Sequence, residues 1–83
     1  MQQRILVVTE EDITVEAKII LYIDRVVISF IYNSITYTSE FQMLITPENI
    51  DYVLTFAEWE VKEKLSDILF EQEVERLCEN GFI

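Results

Sequence analysis

Ile13-Thr14-Val15-Glu16-Ala17-Lys18-Ile19-Ile20-Leu21-Tyr22-Ile23 is the stretch that decides the fold of this chain. Ile13, Val15, Ala17, Ile19, Leu21 and Ile23 alternate with Thr14, Glu16, Lys18, Ile20 and Tyr22. A period of two puts the first set on one wholly apolar face of a long strand. Upstream, Ile5–Val8 forms a short apolar run, joined to it through the polar Glu10-Glu11-Asp12. Downstream, Val26, Ile28, Phe30 and Tyr32 share one face of a third strand, and Ile35, Tyr37, Ser39, Phe41 and Met43 share one face of a fourth. Asp24-Arg25 and Asn33-Ser34 are the expected turns, the second because asparagine tolerates positive φ. The predicted strands span about 4–9, 13–23, 26–32 and 35–44, an antiparallel meander of three to four strands.

The chain changes character at Pro47. Thr46 can cap a helix, Pro47 suits its first position, and Glu48 complements the positive end of the helix dipole. Asn80-Gly81 is the matching stop, with Phe82 and Ile83 beyond it as an anchor that can fold back. No Gly or Pro lies between Glu48 and Asn80. Strands followed by helix predict an α+β domain, 1–83 as one unit, with a helical region over about 47–80.

That region carries two apolar stripes. Ile50, Leu54, Ala57, Val61, Leu65 and Ile68 form the first at helical spacing. Tyr52, Phe56, Trp59, Phe70, Val74 and Leu77 form the second, interrupted at Glu63 and Ser66, on roughly the opposite side. A lone chain is expected to break near Ser66-Asp67, residues 66–67, into two helices that each bury one face. A dimer is expected to keep one helix of about 32 residues, roughly 48 Å long. The sheet poses a related problem. Ile20, Tyr22, Val27 and Ile31 lie on its second face and call for a cover, from the first strand, a returning helix or another chain.

Composition narrows function by exclusion. The chain has no histidine, one glycine and one cysteine. A Ser-His-Asp or Cys-His arrangement, a zinc site, a P-loop and a dinucleotide fingerprint are therefore out of reach. Cys78, at helical spacing from Val74 and Leu77, reads as a packed thiol. Glu10-Glu11-Asp12 lacks the glycine and the alternate spacing of a calcium loop and reads as a solvated turn. No catalytic residue, metal ligand or cofactor is expected. A lone cysteine and the lack of any targeting segment or membrane span fit a cytoplasmic protein.

Sixteen Asp and Glu oppose six Lys and Arg, for a net charge of −10. Such a field repels nucleic acid and anionic membranes and attracts basic proteins. Ten of the acids and three of the bases fall between Glu48 and Glu79, which gives that segment −7. Glu58 with Lys62, and Glu60 with Lys64, have the favoured i, i+4 order. The remaining carboxylates line an exposed face around aromatic side chains. The candidate partner-binding residues are Glu58, Glu63, Asp67, Glu71, Glu73 and Glu75, with Trp59, Phe56 and Phe70 as apolar anchors. Half of the residues, 51%, are hydrophobic, more than so short a chain can enclose, so a homodimer is expected as well.

In size and charge, and by no motif, the chain resembles the small acidic inhibitors made by phages and other mobile elements, DNA mimics and anti-CRISPR proteins among them. That resemblance implies a non-enzymatic inhibitor of a basic, nucleic-acid-handling protein. The alternative is a structural homo-oligomer or assembly subunit that docks through the second helical stripe, its acidity serving solubility alone.

Overall fold

A computed structural model describes residues 1–79 of the chain, and for 75–79 the backbone only. The expected α+β architecture is present. Four strands, β1 (Gln2–Glu10), β2 (Ile13–Leu21), β3 (Arg25–Tyr32) and β4 (Ile35–Gln42), form one antiparallel sheet in chain order, followed by one helix, α1 (Ile50–Glu79). The expected stop at Asn80-Gly81 and the anchor at Phe82 and Ile83 lie outside the described residues, as do the side chains of Glu75, Leu77 and Cys78.

Register follows from the alternation. Leu6 pairs with Ala17 and Val8 with Val15; Ile19 pairs with Ile28 and Leu21 with Val26. These residues point to one face, and there Val8, Val15, Ala17, Ile19, Leu21, Val26, Ile28 and Phe30 are buried. The ladder between β2 and β3 covers only Lys18–Leu21 against Val26–Ser29, whereas the two flanking hairpins are paired along their whole length. The hairpins part beyond Lys18.

The turns show where local chemistry overrode the pattern. Tyr22 N–H donates to Arg25 O at 2.9 Å, so the β2–β3 turn falls on Ile23-Asp24 and not on the expected Asp24-Arg25. Met43 N–H donates to Asp24 O and Ile45 N–H to Ile23 O, which fixes the turn against the strand leaving β4. Arg25 is thereby placed in β3. Its guanidinium pairs with Asp24 and, at 3.0 Å, with Glu40, and lies 4.1 Å from the Tyr22 ring centroid. Three residues take left-handed φ without being glycine: Glu11 at 56°, Asn33 at 53° and Ser34 at 64°. Positive φ at both Asn33 and Ser34 is what a two-residue hairpin turn matching the strand twist requires.

The helix starts through a side chain that the sequence pattern did not single out. Asn49 Oδ1 accepts from Thr46 N–H at 2.9 Å, and Asn49 Nδ2 donates to Leu44 O at 2.8 Å. This is half of a capping box, with asparagine in the place usually held by Glu or Gln. Thr46-Pro47-Glu48, expected to be the capped start of the helix, instead forms a turn ahead of it, and the regular helix begins at Ile50.

α1 runs unbroken for 30 residues. The break expected near Ser66-Asp67 for a lone chain does not occur. Both residues face solvent within the helix, and neither glycine nor proline interrupts the backbone ladder there. Val53, Ala57, Val61, Leu65 and Ile68 bury their side chains on the sheet, with Ile50 and Leu54 half-buried beside them. Val53, fully buried, was not in the stripe read from the sequence.

The helix lies over β1, β2 and β3. Its start approaches Gln2 and Leu21, and its Ser66–Glu73 stretch approaches Glu11 in the β1–β2 turn, so it runs along the strands. Thirty helical residues span about 45 Å, and nine strand residues about 30 Å. The helix therefore outruns the sheet by roughly 15 Å, or about ten residues. Burial stops at Ile68 and Leu69 accordingly, and Phe70 through Val74 are all exposed. The long shape has the same origin: the radius of gyration is 15.2 Å, against about 12 Å for a compact chain of this length. One helix about 10 Å across also cannot cover a sheet about 19 Å wide. On the β4 side Tyr37, Phe41 and Met43 are only half-buried.

Candidate interaction surface

Because α1 buries one side on the sheet, residues about half a helical turn away must face outward. Tyr52, Trp59, Ser66 and Phe70 fall along the line farthest from the sheet, with Glu63 and Val74 close beside it. Trp59 is 53% exposed and Phe70 is 68% exposed. Phe56 sits on the flank facing β4. Its ring meets Phe41 edge-on at 5.1 Å and Trp59 at 6.1 Å, so an aromatic chain climbs from β4 over the flank to the back of the helix. Of the three expected anchors, Trp59 and Phe70 stand in solvent, and Phe56 joins Trp59 to Phe41 at the edge of the core.

The carboxylates sort onto two flanks. Glu63, Asp67 and Glu71 lie on the Phe56 side, all exposed, and the half-buried Glu60 completes their row. Glu60 escaped the sequence reading because the expected pair with Lys64 would have neutralised it. That pair does not form. Glu58 and Glu73 are exposed on the opposite flank, and Lys62 holds Glu58 at 3.6 Å as expected. Both bound the aromatic line from the other side. The backbone of Glu75 extends the helix beyond them. Where the helix passes the β1–β2 turn, Glu11, Ser66, Leu69, Phe70, Gln72 and Glu73 line an open groove of about 630 Å³. Phe70 forms its apolar wall and Glu11 and Glu73 its charged rim.

Compared with protein-family models, with curated proteins and with solved structures, the chain matches none.

Among the described residues no buried side chain is polar or charged. No three or more Asp, Glu or Cys side chains among them gather where they could hold a metal ion. No helix among them is long and apolar enough to cross a membrane. Among the described residues eleven large apolar side chains are exposed, against thirteen apolar residues buried in the core. Single exposed apolar residues are ordinary. Seven of these eleven fall in two sets: Tyr52, Trp59, Phe70 and Val74 along the back of α1, and Ile5, Val7 and Ile31 on the bare face of the sheet.

Proposed function

We propose that this chain is a non-enzymatic binding protein whose α1 back docks on a basic protein and blocks a surface that otherwise holds nucleic acid. The observation that carries this reading is the exposure of Trp59 and Phe70 along the back of a helix whose other face is buried on the sheet as far as Ile68, between flanks of carboxylates. Aromatic side chains inside a charged rim are the usual make-up of an energetic centre in a protein interface. Glu60, Glu63, Asp67 and Glu71 place four negative charges along about 16 Å of helix axis, a rigid row that a groove built for phosphates can accept. The chain's own −10 charge turns nucleic acid itself away. Self-association through the same stripe, the structural alternative, would press two acidic rims together at a cost in repulsion.

The test is retention of a partner by the immobilised chain and by two variants. The expected partner is a basic nucleic-acid-binding protein released by salt, since rim charges are screened. Trp59→Ala is expected to weaken the complex by about 2 kcal/mol or more, roughly thirtyfold in Kd. Glu63→Lys with Glu71→Lys is expected to abolish retention at low salt. A partner held equally by all three forms would refute the proposal.

A further inference from the structure

We infer that the bare face of the sheet docks a second copy of this chain, sheet against sheet; this is independent of the partner assigned to α1. The side chains on that face come from the alternate set of each strand. Ile5 is 57% exposed, Val7 65% and Ile31 64%, with Ile20 and Val27 half-buried between them. Thr9, Thr14, Thr36 and Thr38 surround them.

Charge decides which face a second copy can use. The bare face carries Glu16, Lys18, Arg25 and Glu40, two acids and two bases, for a net charge of zero in a chain of −10. The excess negative charge lies on α1 and the β1–β2 turn. Two copies meeting through α1 would bring like charges together; two copies meeting through the sheet would not.

The register makes this face complementary to itself. Ile5, Lys18, Ser29 and Thr38 form one row across the four strands, and Val7 and Glu16 form the next row on β1 and β2. A two-fold axis running across the strands at the level of Leu6 and Ala17 exchanges these rows between copies. It sets Ile5 over the second copy's Val7, and Lys18 over its Glu16. Among the described residues of one chain, neither Lys18 nor Glu16 has an ion pair, whereas Arg25 and Glu40 already hold each other at 3.0 Å. The two charges left over are the two that the axis matches. Sheets stacked in this way turn by about 30° to accommodate their twist, which these rows tolerate.

Area sets the strength. Four strands at about 4.8 Å and nine residues at about 3.4 Å give at most about 600 Å² per copy, or about 1,200 Å² in all, since the two hairpins part beyond Lys18. That is the lower end of what a specific interface buries, so the dimer should be weak, with Kd on the order of micromolar.

Sedimentation equilibrium of the full chain over about 1 to 300 µM should show the mass rising from 9.9 kDa toward twice that value. Val7→Glu should weaken dimerisation about tenfold or more. Lys18→Glu should do the same, and adding Glu16→Lys to it should restore the dimer, because exchanging both charges keeps the match. Far-ultraviolet circular dichroism of each variant controls for folding. Trp59→Ala should leave dimerisation unchanged. A mass of 9.9 kDa at every concentration would overturn the inference and leave the face to a different protein. A dimer lost on Trp59→Ala but indifferent to Val7→Glu would overturn it too.

Discussion

Leu65 and Phe70 lie five positions apart on one helix, and truncating each to alanine should separate the two faces of α1. Leu65 is fully buried against the sheet. Removing such a side chain costs the lost transfer energy plus the cavity it leaves, about 2–5 kcal/mol. A domain of this length is stabilised by only about 4–12 kcal/mol. Each kcal/mol shifts Tm by about 4–8 °C, so Leu65→Ala should lower Tm by about 10 °C at least and can unfold the chain outright. Phe70 hides only a third of its surface. A third of a phenylalanine is about 50–80 Å², or about 1–2 kcal/mol. Alanine returns roughly half a kcal/mol through its better helix propensity. Phe70→Ala should therefore cost about 1 kcal/mol, a few degrees. Thermal melts followed at 222 nm measure both. Equal losses, or a larger one for Phe70, would mean that α1 presents its other stripe to the sheet, and the surface assigned to partners would be core.

Two further predictions concern the backbone. Ser34→Gly should raise stability by about 0.5–1 kcal/mol, read as the urea midpoint, because serine at positive φ is strained where glycine is not. No gain would mean that the β3–β4 turn is not of the type described. Asn49→Ala removes the side chain that accepts from Thr46 N–H and should cost about 1 kcal/mol in the same assay; an unchanged midpoint would place the helix start elsewhere.

Much of the fold was legible because one face of the sheet is marked by apolar residues at every second position of β2 and β3. Ile13 through Leu21 keep a period of two, and the observed register follows from it. The pattern misled only where it continued past the structure. Ile23 extends the alternation by one more step, yet it stands in the turn, because hydrogen bonds from Met43 and Ile45 hold the chain there. No periodicity encodes those bonds, which come from the segment after β4, about twenty residues away. Asn49 was likewise silent: its role depends on Leu44 O and Thr46 N–H arriving together.

The helix was harder to read. Two stripes on one segment imply either two helices or a helix with two jobs, and the sequence favoured a break that two exposed polar residues, Ser66 and Asp67, did not cause. Val53 was missed because the observed contact follows a slanting row through Val53, Ala57, Val61 and Leu65, which the stripe from Ile50 through Leu54 did not trace. Of the surface, Trp59 and Phe70 were legible as members of the second stripe, and both are exposed. Ile5 and Val7 were not recognised as part of the bare sheet face, since only the pairing of β1 with β2 decides which way they point.

The most direct test is a photo-crosslinking residue placed at position 59, at position 70 or, for comparison, at position 38 on the bare sheet face, followed by identification of whatever becomes attached in cells. Positions 59 and 70 should capture the same basic protein, with position 38 capturing either nothing else or this chain itself. Capture of that protein from position 38 alone, with 59 and 70 left unreacted, would contradict the assignment of the helix back as the binding surface.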